Sequence, residues 1–305
     1  MILPQNAEII EVCPRDGFQN VKDFIPTERK IEIIKSLIDV GFKRIEATSF
    51  VNPQWVPQMA DASEVVAEVK EYAKGKNVSI IALIPNEKGF ANATKAGVDE
   101  VNYVVSVSET HNKKNVNRTV DESLAILEKI AENRGTTKIR LALATALGCP
   151  FGEKIETKKI IEMAKRGLKA GANEILVADT VGLGHPQLIE DVLTEMTAHI
   201  DASKLCMHLH DTRGLALANT IAALRLGVTK FESAVGGLGG CPFAPGAAGN
   251  VATEDLVNLL SVMNVETGLD QDKLSAAVDL VRRYVNSPIV SHMSKLCHRA
   301  DNNGK

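Results

Sequence analysis

The chain alternates between strand-like and helix-like segments along its whole length, and this alternation restricts the fold more than any other feature. Short apolar runs, such as residues 78–84, are each followed by a longer segment with apolar residues at helical spacing. The predicted strands are 8–12, 44–48, 78–84, 101–107, 139–147, 174–178, 205–210 and 231–235. Near-continuous apolar strands are typical of a parallel sheet that is covered on both faces.

Eight strand–helix units in 305 residues favour an α/β fold of the (β/α)8 TIM-barrel type over a doubly wound open sheet, which usually has fewer strands. No compositional break divides the chain, so we expect residues 1–305 to form a single catalytic domain. Within it, residues 265–305 form a C-terminal extension with an additional helix at about 270–284 and a mobile polar tail. The hydrophobic content of 45% with only 4% aromatic residues indicates a large aliphatic core.

Net charge restricts the molecules that this protein is expected to bind, and the N-terminus and the cysteines indicate the compartment in which it is expected to lie. A net charge of −3 and a pI near 6.2 give no electrostatic signature for nucleic acid or an anionic membrane, so small molecules are the expected partners. The N-terminus has no signal-peptide pattern, and no apolar run approaches the roughly 18 residues of a membrane span. The five cysteines are scattered without a Cys-x-x-Cys pair. These features predict a cytoplasmic location.

Unusual polar residues fall at the predicted strand ends. In a barrel of this type the active site is built at the C-terminal ends of the strands. The residues concerned are Arg15 and Asp16 after strand one, Glu46 in strand two, Asp179 after strand six, His208 and His210 in strand seven, and Cys241 and Asn250 after strand eight. Their distribution matches the expected active-site face.

The two histidines of strand seven lie one residue apart. Side chains alternate along a strand, so His208 and His210 point to the same side, which suits two ligands of one metal ion. The same spacing would also arise if one imidazole paired with a carboxylate and the other capped a turn. Both interpretations remain open from this motif alone.

The acidic candidates have structural interpretations as well. Arg15 and Asp16 could form a local ion pair within a turn. Glu46 lies in a strand suited to burial, where an unpaired carboxylate is strongly unfavourable, so it requires a cationic or metal partner. Asp179 could instead cap the turn that follows its strand.

Residues 236–250, GGLGGCPFAPGAAGN, form a glycine-rich loop with two prolines. The loop could be a structural Ω-loop or a phosphate cradle, although it lacks the Lys-Ser/Thr ending of a P-loop. A lid that brings Cys241 to the active site is the more economical interpretation. A thiol with a pKa of about 8.5 is mostly protonated at neutral pH and can act as a general acid without special activation.

Asp16, His208, His210 and the amide oxygen of Asn250 would together offer two nitrogen and two oxygen ligands. A set without thiolate favours a six-coordinate Mg²⁺ or Mn²⁺ with open positions for substrate. A substrate that binds such an ion through a hydroxyl and a carbonyl is prepared for loss of the hydroxyl proton and for retro-aldol cleavage. Arg15 could then stabilise the enolate and Cys241 could protonate it.

Three segments resemble the 3-hydroxy-3-methylglutaryl-CoA lyase family: residues 11–20 (EVCPRDGFQN), 208–212 (HLHDT) and 237–250 (GLGGCPFAPGAAGN). The resemblance extends over nearly the full chain, and the cysteine loop is its most specific part. It implies cleavage of the acyl-CoA substrate to acetyl-CoA and acetoacetate, in leucine breakdown or ketone-body formation. It also implies a homo-oligomer, a dimer or higher.

The resemblance implies a role for each candidate residue. Metal binding is implied for Asp16, His208, His210 and Asn250; substrate binding for Arg15 and Gln19; and catalysis for Arg15, Glu46, Asp179, His208 and Cys241. The group that takes the hydroxyl proton is left open between a carboxylate and His208. Cys13 and Arg213 depart from the glycine and tyrosine that are usual in the family, and neither departure removes a residue to which the resemblance gives a role.

Two other functions compete with this one. A sibling carbon–carbon lyase or synthase, such as a homocitrate or isopropylmalate synthase, would use the same barrel. Such synthases commonly carry a further regulatory region, for which this sequence gives no signal. A catalytically silent barrel that binds a metal as a scaffold is the alternative outside enzymes.

Overall fold

The predicted strands close into a barrel. The computed structural model describes residues 3–240 and 249–296, and within these residues eight parallel strands pair in chain order until the last returns to the first. The strands are β1 (Glu8–Glu11), β2 (Arg44–Ser49), β3 (Ser79–Ile84), β4 (Glu100–Ser106), β5 (Lys138–Ala144), β6 (Glu174–Asp179), β7 (Leu205–Leu209) and β8 (Lys230–Ser233). The (β/α)8 prediction is confirmed.

Helices connect the strands and cover the outside of the barrel. They are α1 (Thr27–Val40), α2 (Ala62–Tyr72), α3 (Glu87–Ala96), α4 (Glu109–Val116), α5 (Val120–Glu132), α6 (Thr157–Ala170), α7 (Pro186–Thr197), α8 (Ala216–Arg225), α9 (Thr253–Val262) and α10 (Gln271–Tyr284). The additional C-terminal helix is α10, which packs against α1 and so closes on the N-terminal part of the chain.

Helix α4 was not expected from the sequence. Its residues are almost all polar and give no apolar stripe, which is the signal by which an amphipathic helix is recognised. It forms because the Ser108 side chain accepts a hydrogen bond from the His111 N–H, and because Asn117 ends it in the left-handed conformation. Two helices, α4 and α5, therefore connect β4 to β5 where the sequence predicted one.

The N-terminal end of the barrel interior is closed by ion pairs. Arg44 contacts Glu100 at 2.5 Å and Glu174 at 2.9 Å, and Lys230 contacts the other oxygen of Glu174 at 2.7 Å. Arg140, fully buried in β5, reaches Glu174 at 2.8 Å. Salt bridges occupy this end of the barrel, whereas the residues predicted for the active site lie at the opposite, C-terminal end.

Two predictions fall on residues that the structure does not describe. Cys241 lies between the described ranges, and the polar tail at 301–305 lies beyond residue 296. Among the described helices, none has the length and apolar character that crossing a bilayer requires.

Candidate active site

A single π-helical turn, Cys13–Gly17, follows β1 and carries Arg15 and Asp16 into the C-terminal end of the barrel. Both side chains are buried. A Cβ atom at Gly17 would lie 3.0 Å from the Cβ of Leu238, so glycine allows the turn to pack against the segment after β8. The turn therefore brings the first strand's polar residues next to the last strand's loop.

Arg15 forms ion pairs with two carboxylates. Its Nε lies 2.5 Å from Glu46 Oε2, and its Nη1 lies 2.5 Å from Asp16 Oδ1. Glu46 is completely buried at an irregularity in the β2–β3 pairing, and it also accepts a hydrogen bond from Asn102 at 3.0 Å. Burial raises the pKa of Glu46, against the opposing charge of Arg15. The predicted cationic partner of Glu46 is thus Arg15, and the predicted Arg15–Asp16 pair is also present.

The histidines of β7 meet Asp16. His208, His210 and Asp16 each offer one ligand atom, and these atoms lie within 4.8 Å of one another. These three side chains are therefore close enough to be candidate ligands of one ion. Burial opposes ionisation of Asp16, but the charges of Arg15 and of the histidines hold its pKa at about 2. Asp16 is therefore a carboxylate at neutral pH.

The two imidazoles differ in their surroundings. His208 Nδ1 lies 2.7 Å from Glu232 Oε2 in β8. Burial alone would lower the pKa of His208, but the hydrogen bond and the charge of Glu232 raise it. Burial, together with the neighbouring His208, lowers the pKa of His210 to about 4, so His210 is neutral at physiological pH. The Nδ1 atom of His210 is buried without a hydrogen-bond partner.

Asn250 is held beside the histidines by the backbone. It forms an isolated antiparallel bridge with His210, and its Nδ2 donates to Asp16 Oδ2 at 2.6 Å and to the Leu238 carbonyl at 3.0 Å. Its Oδ1 atom is buried and has no hydrogen-bond partner. A buried amide oxygen without a partner is unfavourable, and a bound cation would satisfy it.

These observations fit a divalent metal. The unsatisfied Asn250 Oδ1, the carboxylate of Asp16 and two histidine nitrogens form the mixed oxygen and nitrogen set predicted from the sequence. His208 pairs with a carboxylate, as one interpretation of His-x-His expected, and metal binding by the two histidines beside Asp16 stays a prediction.

Asp179 lies at the end of β6 and caps the following turn. Its two oxygens accept hydrogen bonds from the Leu183 N–H at 2.8 Å and from the Gly184 N–H at 3.0 Å. A Cβ at Gly184 would approach Asp179 Oδ2 to 2.8 Å. Burial raises the pKa of Asp179 to about 6, although the two N–H groups and His208 oppose the shift. The capping interpretation of Asp179 is confirmed, and its catalytic role stays a prediction.

Three further residues named from the sequence have defined contacts. Gln19 Nε2 donates to Asp16 Oδ1 at 2.8 Å, so Gln19 holds the proposed ligand. Arg213 donates to the carbonyl oxygens of Val181 and Gly182, at 3.2 and 2.6 Å. Its side chain is therefore held against the loop that follows β6. Cys13 is completely buried.

The described ends of the glycine-rich loop approach each other closely. A Cβ at Gly249 would lie 2.2 Å from the Gly239 carbonyl oxygen, and a Cβ at Gly239 would lie 2.5 Å from Asn250 Nδ2. No larger residue fits either position without moving backbone or a proposed ligand. The loop that carries Cys241 thus begins and ends beside Asn250, while Cys241 itself lies outside the described residues.

Several buried polar residues around the site were not predicted from the sequence. Glu232 contacts His208, Arg140 contacts Glu232 at 2.5 Å, and Asn102 contacts Glu46. Glu11 is buried with hydrogen bonds from Thr253 and two backbone N–H groups, and burial raises its pKa to about 8. A charged residue inside an apolar strand is the signal that could have found Glu232 and Arg140.

The profile of the HMGL-like family matches residues 6–281. The mitochondrial hydroxymethylglutaryl-CoA lyase of Rattus norvegicus is 41% identical over 295 residues, which cover 96% of this chain and 90% of the rat protein. The crystal structure of the Bacillus subtilis HMG-CoA lyase matches with a TM-score of 0.94 and 38% identity, covering 98% of this chain and 100% of that chain. An HMG-CoA lyase from Acinetobacter baumannii, in complex with coenzyme A and 3-methylmalate, matches with a TM-score of 0.91 and 38% identity over 95% of each chain. The chain belongs to the HMGL-like family.

Proposed function

We propose that this protein is a metal-dependent carbon–carbon lyase that cleaves 3-hydroxy-3-methylglutaryl-CoA to acetyl-CoA and acetoacetate. The observation that carries the proposal is the convergence of Arg15, Asp16, His208 and His210 at the C-terminal end of the barrel. The near full-length similarity to proteins named for this activity supports it. The products suit a place in leucine catabolism or ketone-body formation.

We propose Asp16, His208, His210 and Asn250 as the residues that would hold the metal, with Mg²⁺ or Mn²⁺ as the ion. When bound, such an ion acidifies a substrate hydroxyl and fixes its orientation. All four side chains are buried. Gln19 holds Asp16 in place through its amide, which gives it a position at the edge of the substrate site.

In the proposed reaction the C3 hydroxyl loses its proton and the C2–C3 bond breaks. The oxygen electron pair forms the ketone of acetoacetate, and the bonding pair passes to C2 as the enolate of acetyl-CoA. Arg15 is the cation proposed to stabilise that enolate, since an arginine can donate two hydrogen bonds while remaining charged. Glu46 fixes the guanidinium through the 2.5 Å contact to its Nε.

Two proton transfers complete the reaction. Asp179, with a pKa of about 6, can exchange protons near neutral pH, which suits the base for the hydroxyl. His208 suits that role less, because its Nδ1 is engaged by Glu232 and its other nitrogen is a proposed ligand. Cys241 is proposed to protonate the enolate carbon from the glycine-rich loop, whose described ends lie beside Asn250.

Four wider assignments accompany the activity. The substrate is proposed to be an acyl-CoA, in line with the coenzyme A bound to the related Acinetobacter baumannii lyase. We treat residues 1–305 as one catalytic domain, with residues 265–305 as its extension. A homo-oligomer, a dimer or higher, can be tested by light scattering after gel filtration. The cytoplasmic location stays a prediction that cell fractionation can test.

The activity is tested by incubating the protein with 3-hydroxy-3-methylglutaryl-CoA and either Mg²⁺ or Mn²⁺, with and without a chelator. Acetoacetate should form, and chelation should abolish it reversibly. A sibling synthase would instead condense acetyl-CoA with a 2-oxo acid, and a silent scaffold would bind the metal without turnover. Absence of acetoacetate under every condition would exclude the lyase.

A further inference from the structure

Glu232 connects the proposed metal site to the charged interior of the barrel. Its Oε2 contacts His208 Nδ1 at 2.7 Å, and its Oε1 contacts Arg140 Nη1 at 2.5 Å. Arg140 in turn donates through Nε to Glu174 Oε1 at 2.8 Å. Glu232 and Arg140 are both fully buried, so neither can exchange its partner for water.

The hydrogen-bonding capacity of each group determines the direction of the hydrogen bonds between Arg140, Glu232 and His208. A guanidinium only donates, so the oxygen of Glu232 that faces Arg140 must accept. The positive charge of Arg140, 2.5 Å away, keeps Glu232 ionised, so its second oxygen also accepts and the donor in the remaining contact is His208 Nδ1–H. A neutral imidazole that carries its proton on Nδ1 has its lone pair on Nε2, which is the form that binds a metal.

We infer that Glu232, held by Arg140, is a positioning residue that keeps the proton of His208 on Nδ1 and leaves Nε2 as the nitrogen for the metal. This inference rests on the metal site of the proposed function, and it adds two residues outside that ligand set. If Glu232 served only as the counter-charge of Arg140, its loss would weaken the fold without changing the tautomer of His208.

A glutamine at position 232 separates the two roles. Arg140 cannot accept a hydrogen bond, so in Glu232→Gln the amide oxygen must face Arg140 and the NH₂ group must face His208. His208 Nδ1 would then accept, and the proton would move to Nε2, where it blocks metal binding. In Glu232→Asp the acceptor remains, so the Nδ1–H tautomer should be kept.

The test combines nitrogen NMR of ¹⁵N-histidine-labelled, metal-free protein at alkaline pH with calorimetric titration of Mn²⁺. The native protein should show His208 protonated on Nδ1, and Glu232→Gln should show the proton on Nε2 with an Mn²⁺ dissociation constant raised about 10- to 100-fold. Glu174→Gln is the matched control, because it removes a carboxylate from Arg140 without touching His208. It should leave both readouts unchanged.

An Nε2–H tautomer in the native protein would overturn the inference, and this measurement needs no variant to fold. A Glu232→Gln protein that binds Mn²⁺ as tightly as the native protein would also overturn it. Neither readout depends on turnover. A native protein that fails to cleave the acyl-CoA would thus refute the proposed function alone, and an unchanged tautomer in Glu232→Gln would refute this inference alone.

Discussion

Replacing Arg15 by methionine separates its contribution to stability from its contribution to catalysis. Arg15 makes 2.5 Å contacts with both Glu46 and Asp16, and all three side chains are buried. Without Arg15, Glu46 keeps the hydrogen bond from Asn102 and the more distant charge of Arg140. Removing one partner of a buried ion pair typically lowers the free energy of unfolding by about 3–5 kcal/mol, because the other charge is left uncompensated.

The expected fall in melting temperature is roughly 6–15 °C, at about 2–3 °C per kcal/mol for a large domain. Turnover should fall about 100- to 1000-fold, as expected on loss of a donor to an oxyanion. Adding Glu46→Gln removes the uncompensated carboxylate, so the double variant should regain most of the stability but none of the activity. The assays are thermal denaturation followed by circular dichroism, and acetoacetate release at saturating substrate.

Arg44→Met is the matched control, since Arg44 is also largely buried and contacts two carboxylates, Glu100 and Glu174, at the opposite end of the barrel. It should lower the melting temperature while leaving the turnover of folded protein unchanged. If the double variant recovered activity together with stability, Arg15 would have only a structural role. An Arg15→Met protein as stable as the native one would contradict the ion-pair argument.

Three further predictions follow from the buried polar groups. Burial raises the pKa of Glu11 from 4.5 to about 8, so between these pH values the folded state retains a proton that the unfolded state loses. The free energy of unfolding should therefore fall by at most about 5 kcal/mol as the pH rises from 4.5 to 8. Glu11→Gln should flatten that slope in denaturant titrations at several pH values, and an unchanged slope would assign it to other groups. Asn250→Asp places a second carboxylate next to Asp16, so the metal-free variant should melt at a lower temperature than the native protein. Mn²⁺ should then raise the melting temperature of the variant more than that of the native protein. An equal response to Mn²⁺ would argue against Asn250 as a ligand. Cys241→Ala should lower turnover steeply while Mn²⁺ affinity and melting temperature stay the same. The thiol control is Cys149→Ala, since Cys149 is a buried free cysteine whose Sγ donates to Ser108 Oγ at 3.1 Å, and it should keep its turnover. Unchanged turnover in Cys241→Ala would remove Cys241 from the mechanism.

The fold could be predicted because its signal is local and repeated. Several strands are short apolar runs and most helices carry an apolar stripe, so eight units could be counted without knowing any contact between them. The failure at α4 has the opposite cause. That helix is polar on all sides and depends on the caps at Ser108 and Asn117, which mark a boundary only after a helix is suspected.

The site could be predicted where the chemistry of a residue conflicts with its surroundings. Glu46 was recognised because a carboxylate in a buried strand needs a partner, and the same rule would have identified Glu232 in β8. Its partner Arg140 lies 92 positions away, so the pair leaves no pattern in any local window. The roles of His208 Nδ1 and Nε2 could not be assigned from sequence for the same reason.

The contact between Asp16 and Asn250 joins side chains that are 234 positions apart. They meet because β1 pairs with β8, so the proposed metal would bridge the seam at which the barrel closes. A partly folded chain that has formed only β2 to β7 contains the two histidines but not the complete ligand set. The complete metal site would therefore form late in folding, when the seam between β1 and β8 closes. A bound ion would then link the first and last strands. Protein that refolds in the presence of Mn²⁺ should unfold more slowly, because opening of the seam must then release the ion.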